Sequence, residues 1–220
     1  MIKIIEAVIF DMDGVIIDSE PLHYEVNQEI FEELKINIDK KEYSRYIGVS
    51  NTEMWKDIIK RYKLNYSLKE LVEIQKQKNL QHLKQGKLNT VPGVNKLIKN
   101  LHNRNIKLAL ASSSPPELIE TALKLFNLGK YFSVIESGEN VKNGKPEPDI
   151  FLKTASLLNI NKNNIIIIED SHNGVLAANK AGIKCVGFKN ENSGNQDLSK
   201  ADFIIDNFDQ FRNILFDLNS

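Results

Sequence analysis

The chain has 220 residues, 41% of them hydrophobic, with 29 basic against 29 acidic side chains. That length can bury roughly 70% of the unfolded surface in one large domain or two modest ones, and zero formal net charge gives no electrostatic reason to bind nucleic acid or an anionic membrane. The single cysteine, Cys185, excludes an internal disulfide framework; no apolar run approaches the roughly 18 residues of a bilayer span, and Met1-Ile2-Lys3 leads directly into a strand, so a cytoplasmic monomer without a signal peptide is expected.

Residues 3–11 read as the first strand. The run Ala7-Val8-Ile9-Phe10 is rich in β-branched residues, as a strand buried on both faces is, and it stops abruptly at Asp11-Met12-Asp13-Gly14. From about 20 to 88 charged and apolar residues recur at helical spacing with almost no glycine or proline. Helices are predicted over 21–35, from a Ser50/Glu53 capping box, and from a Ser67/Glu70 box running to Gly86. Trp55 reads as the core of that helical unit, and His82 and His102 as surface residues.

After Val91-Pro92-Gly93 the pattern changes to alternating helices and strands. A helix over 93–104 leads to a strand over 106–111, which ends at Ser112-Ser113-Ser114-Pro115-Pro116. Ser114 with Glu117 predicts a cap for the next helix, with Pro115 in its first position. A short strand at 132–135, the loop Gly144-Lys145-Pro146-Glu147-Pro148 and a helix over 149–158 follow. Ile165–Ile168 is the most strand-like run and ends in Glu169-Asp170-Ser171. A helix over 173–181 closes at Gly182; strands at 184–188, holding Cys185 as a small core residue, and at 203–205, with a helix over 208–217, complete the chain. Residues 190–200 read as a polar loop. The alternation implies an α/β, Rossmann-like doubly wound parallel sheet with an inserted all-α helical cap. The expected boundaries are 1–17 and 90–220 for the core and 18–89 for the cap, with hinges near 16–19 and 86–91.

In a parallel sheet every strand's C-terminal end faces the same rim, so Asp11/Asp13, Ser112, Lys145 and Glu169/Asp170 can converge there. Clustered carboxylates repel unless a cation joins them, and hard oxygen donors suit Mg²⁺. The set matches one chemistry. A carboxylate attacks phosphorus and a second carboxyl protonates the leaving alcohol, then deprotonates water. A lysine and Mg²⁺ neutralise the phosphoryl oxygens, while a hydroxyl and backbone amides take the rest.

A calcium loop begun at Asp11 would need glutamate where Leu22 stands. The spacing Gly138 to Gly144-Lys145 is one residue too long for a phosphate-binding loop, and Pro146 replaces its hydroxyl residue. Each segment taken alone also reads as an ordinary solvated turn.

In this order the motifs resemble the haloacid dehalogenase superfamily of phosphohydrolases, over the whole chain. Asp11-Met12-Asp13-Gly14-Val15 resembles its first motif, Ser112 its second, Lys145-Pro146 its third and Glu169-Asp170 its fourth, and the helical insert resembles its α-helical cap. The branch resembled holds β-phosphoglucomutase and small sugar-phosphate phosphatases. The resemblance implies Asp11 as nucleophile, Asp13 as general acid/base with its carbonyl on the metal, Ser112 and Lys145 on the phosphoryl oxygens, and Asp11, Asp13, Glu169 and Asp170 around Mg²⁺. It further implies that Gly14, Ser113, His23 and Gly48 face a small phosphorylated substrate. The mutase pattern places cations where this sequence has Ile47 and Asn51, so a phosphatase is expected ahead of a mutase. A phospho-accepting receiver module is the distant alternative; receivers lack a helical insert and carry their aspartate on a middle strand.

Overall fold

A computed structural model describes residues 5–218. The first strand is shorter than expected, β1 (Ala7–Phe10); positions 3 and 4 of the predicted strand lie outside the described residues. Four helices follow: α1 (Glu20–Glu33), α2 (Lys40–Tyr43), α3 (Asn51–Tyr62) and α4 (Leu68–Lys84). The remaining order is α5 (Val94–Asn103), β2 (Lys107–Ser112), α6 (Pro116–Leu125), β3 (Phe132–Ser137), α7 (Asp149–Leu158), β4 (Ile165–Glu169), α8 (His172–Ala181), β5 (Lys184–Phe188), β6 (Phe203–Ile205) and α9 (Phe211–Leu218).

The six strands form one parallel sheet in the order β3-β2-β1-β4-β5-β6. Chain direction reverses its march across the sheet between β1 and β4, and doubly wound folds hold ligands at that switch point. Phe10 pairs with Leu110 on one side and Ile168 on the other, so the next residue, Asp11, is level with the end of β4. Alternate residues feed two cores. Val8, Phe10, Leu110 and Ile168 pack on the face covered by α5, α6 and α9; Ala7, Ile9, Ala111 and Ile167 pack on the face covered by α7 and α8. Burial on both faces explains why these strands are apolar runs with no polar alternation.

The helical insert has its own interior. Trp55 is fully buried as expected, with Phe31 edge-on at 5.8 Å between ring centroids. A buried relay runs from Trp55 Nε1 to Gln75 Oε1 (3.0 Å), Gln75 Nε2 to Asn27 Oδ1 (2.9 Å) and Asn27 Nδ2 to Tyr43 Oη (3.1 Å). Each polar group is thereby paired, which removes most of its desolvation cost and fixes how α1, α3 and α4 meet. The two linkers to the insert pair with each other. Asp18 N donates to Asn89 O (2.9 Å), and Val91 N to Ile16 O (3.0 Å), within the segments expected to hinge.

Several local expectations are corrected. The Ser67/Glu70 box is complete, but Ser50 only accepts from Glu53 N, with no return bond. α2, capped by Asp39, adds a short fourth helix to the three whose starts the sequence gives. The predicted last helix begins at Phe211, after a short turn over Phe208–Gln210. His82 is buried, with Nε2 2.9 Å from Glu29 Oε1, because the face of α4 that carries it packs on α1. Among the described residues no helix is long and apolar enough to cross a membrane.

Candidate active site

The strand ends bring the expected residues together at the switch point. Asp11 leaves β1 with its amide donating to Ile168 O (2.9 Å), which carries the sheet ladder one step further and holds its side chain at the rim. Glu169 ends β4 and is 1% exposed; Asp170 follows it and is buried. Lys145 reaches in from the loop after β3. Its ammonium donates to Asp11, to Glu169 Oε1 (2.7 Å) and to Ala111 O (3.3 Å), and lies 4.9 Å from the centre of the Phe151 ring.

Glu169 accepts on both oxygens. Oε1 takes Lys145, while Oε2 takes Ser171 N (2.8 Å) and Ser171 Oγ (2.9 Å). The first turn of α8 admits this carboxylate because residue 174 is glycine; a Cβ there would lie 1.7 Å from Glu169 Oε1. Gly14 plays a similar part for Asp170. Its φ is +73°, and a Cβ would fall 1.9 Å from Asp170 Oδ2, so glycine meets both demands at once.

Across from this group sits Asp13. Its Oδ2 accepts from Ser114 Oγ (2.8 Å) and Ser112 Oγ (3.4 Å), and its Oδ1 lies 3.6 Å from His23 Nε2 on α1. Ser112 Oγ in turn accepts from Ser114 N (3.0 Å). Ser113 and Gly48 lie at the margin of this group. Ser113 is exposed and its backbone backs onto Gly138; the Gly48 carbonyl accepts from Asn173 Nδ2 (3.4 Å) at the insert's edge.

The electrostatics separate the two aspartates that lie one residue apart. Burial raises Asp11; Lys145 pulls against it, Glu169 and Asp13 add to it, and the carboxyl is pushed up to about 8. Burial also raises Asp13, but hydrogen bonding and charge from His23, with Ser19 and Ser114, more than offset it and hold the carboxyl at about 2. Asp170 is pushed well up by burial and then by Glu169 and Asp11. One ammonium thus faces three buried carboxylates, and two of the three are raised. The group is short of positive charge and long on hard oxygen donors, a balance that fits a divalent cation such as Mg²⁺. Among the described residues another His/Glu cluster, Glu25, Glu29 and His82, lies between α1 and α4, where Lys87 and Lys78 already pair with its carboxylates.

The haloacid dehalogenase-like hydrolase profile matches residues 8–188, most of the chain and every strand-end carboxylate described above. The chain belongs to that family. A phosphorylated carbohydrates phosphatase of Thermotoga maritima is 36% identical over 182 residues, 81% of this chain and 82% of the relative. The β-phosphoglucomutase of Bacillus subtilis is 33% identical over 190 residues, 83% of this chain and 82% of the relative. In structure, CbbY from Rhodobacter sphaeroides in complex with phosphate superposes with a TM-score of 0.85 at 25% identity, covering 93% of this chain and 95% of that one. As a haloacid dehalogenase-like hydrolase, the chain has the parallel sheet and helical insert expected from its motif order.

Sequence reasoning missed Ser114. It satisfies the local pattern of a helix cap, but Pro115 is extended (φ −57°, ψ 148°) and itself takes the N-cap position, with Pro116 opening α6. Ser114 is thereby freed to turn to Asp13. The Pro115-Pro116 pair was the available signal, since a residue before proline is driven out of helical geometry. Asn190, Ser193 and Gln196 were also missed; nothing in a polar loop distinguishes them.

Proposed function

We propose that this chain is a Mg²⁺-dependent phosphatase of small phosphorylated carbohydrates that works through an aspartyl-phosphate on Asp11. The observation that carries this reading is the pairing of Asp11 with Lys145 at the sheet switch point, with Asp13 held apart by Ser114 and His23. Residues 1–17 and 90–220 form the catalytic core in this reading, and residues 18–89 the cap.

Asp11, Asp170 and the Asp13 carbonyl would hold the ion. Glu169, already engaged by Lys145 and Ser171, contributes charge more than a coordination position. Bound there, Mg²⁺ supplies positive charge for the phosphoryl oxygens and lowers the carboxyl pKa values that burial has raised. Asp11 attacks phosphorus while the P–O bond to the leaving alcohol breaks. Lys145 and the Ser112 hydroxyl take the equatorial oxygens, where charge shifts during transfer. Asp13, held ionised here by His23 and Ser114, takes up a proton before it can give one to the departing alkoxide; ionised again, it takes one from the water that attacks the phosphoaspartate. The α1 and α4 side of the cap excludes bulk water over Asp13.

The substrate class is supported by the relative named as a phosphorylated carbohydrates phosphatase, and the complex of CbbY with phosphate supports a phosphoryl ligand. Mutase chemistry is the second reading, since the B. subtilis relative is a β-phosphoglucomutase. A mutase must also grip the phosphate that is not reacting, and Ile47 and Asn51 give the cap loop no cation at those positions. Cys185 is buried and free, which accords with a reducing, cytoplasmic setting. The test is a panel of sugar and nucleoside phosphates with Mg²⁺, including glucose 1,6-bisphosphate-dependent isomerisation. Release of phosphate from sugar monophosphates is expected; isomerisation without release contradicts the phosphatase.

A further inference from the structure

The segment between β5 and β6 contains no helix or strand over 190–200, yet its side chains bond to Gly14, Asp18, Asp170 and the first amide of α8. It braces itself first: Asn192 N and Ser193 N both donate to Asn190, at 2.8 and 3.2 Å. From that turn three side chains reach out. Asn190 Nδ2 donates to Gly14 O (2.9 Å), Asn192 Nδ2 to Asp18 Oδ2 in the first linker (2.7 Å), and Ser193 Oγ to Asp170 Oδ2.

Gln196 then joins the two parts of the molecule with one amide group. Its Oε1 accepts from His172 N (3.0 Å), the first amide of α8, two residues after Asp170. Its Nε2 donates to Ile47 O in the cap loop (3.3 Å) and to Ser193 O (3.1 Å). The cap loop is fitted to this side chain: a Cβ on Gly48 would lie 2.7 Å from Gln196 Nε2. Asn173 Nδ2 reaches the Gly48 carbonyl beside it at a longer 3.4 Å. On the α6 side the cap packs α4 against α6 through buried Leu83 and Leu118, with the part-exposed pair Lys76 and Glu117 (3.4 Å) adding little in water.

We propose that Gln196 is a positioning residue for the cap, and through it a determinant of substrate size. By spanning the α8 N-terminus and the Ile47 carbonyl, it fixes where the Gly48 loop sits relative to the carboxylates that precede α8. It therefore sets how bulky a leaving alcohol the closed site accepts. One neutral hydrogen bond of this kind shifts a two-state cap equilibrium about three- to tenfold.

The test uses the full-length protein with spin labels on Lys60→Cys in the cap and Asn163→Cys in the core; Cys185 is buried and stays unlabelled. Gln196→Glu keeps the shape and the oxygen facing His172 N but loses the donor to Ile47 O, and Gln196→Leu loses both without adding charge. Pulsed dipolar distances are expected to move to a longer, broader distribution in both variants, with the open fraction up three- to tenfold. In parallel, kcat/KM for a sugar phosphate should fall three- to tenfold through KM, while kcat/KM for acetyl phosphate, whose leaving group does not fill the cap, stays within twofold. An unchanged distance distribution in either variant overturns the proposal, as does an equal loss for both phosphoryl donors. Only the kinetic arm rests on the phosphatase reading; the distances report on Gln196 even if the chemistry proves different.

Discussion

The Lys145 ammonium lies 2.7 Å from Glu169 Oε1 and donates to Asp11 as well, so one buried cation holds two carboxylates from adjacent strands. Burial lowers the affinity of Lys145 for its proton, but Asp11 and Glu169 more than restore it, and the lysine stays charged. Replacing Lys145 by methionine leaves those carboxylates buried without their partner. The expected cost without Mg²⁺ at neutral pH is roughly 3–5 kcal/mol of stability, the usual scale for breaking a buried pair. Millimolar Mg²⁺ should recover much of it while turnover stays low. Melting curves with and without the ion check this; a Lys145→Met protein as stable as wild type without Mg²⁺ contradicts it.

Ser114 donates to Asp13 at 2.8 Å and helps hold that carboxyl at about 2. Ser114→Ala should raise the Asp13 pKa, because the lost bond favoured the charged form. The acidic limb of the kcat–pH profile then moves to higher pH, while lost positioning of the carboxyl, not its basicity, lowers kcat at neutral pH by about tenfold. A variant with a normal rate and an unmoved acidic limb would show that Ser114 is only a turn residue.

Glu20 opens α1 beside Asp18 and His23, and burial pushes its carboxyl up to about 7 against the pull of His23 and Tyr43. Its folded pKa exceeds its unfolded value, so the folded state binds the proton more tightly. Stability from this group is fully present below about pH 4.5, declines as pH rises, and is lost above about 7. Glu20→Gln removes the penalty. At pH 8 the variant should be more stable than wild type by roughly 2–3 kcal/mol, and at pH 4.5 nearly equal to it. Denaturant titrations at the two pH values measure this; a gain of equal size at both contradicts it.

The sheet was legible because its strands are buried on both faces, and Ile165–Ile168 or Ala7–Phe10 have no other stable use in a chain of this length. The carboxylate set was legible for a related reason: charged residues placed directly after such runs can only lie at the rim. What escaped was set by tertiary contact. His82 sits among Gln81, Lys84 and Gln85, and nothing local shows that Glu29 on α1 will bury it. Ser114 satisfied the local rule for a cap while the neighbouring prolines directed it elsewhere. The 190–197 segment is polar throughout, and its contacts to Gly14, Asp18, Asp170 and Ile47 depend on residues far away in the sequence.

Asp13 stands apart from the Asp11–Lys145 group and is proposed to serve both proton transfers. Asp13→Asn should lower kcat on an alkyl phosphate by about 10²–10⁴-fold. The loss in forming the phosphoenzyme should be much smaller with acetyl phosphate, whose leaving group needs no proton. An equal loss in that step for both donors contradicts the role.

That variant also supplies the most direct test of the central claim, that Asp11 carries the phosphoryl group. Asp13→Asn protein is mixed with acetyl phosphate and Mg²⁺, quenched in acid, reduced with borohydride, and its peptides are analysed by mass. The predicted result is homoserine at position 11, absent when Mg²⁺ is chelated. Phosphate release with Asp11 unmodified throughout, or reduction at another residue, contradicts the account.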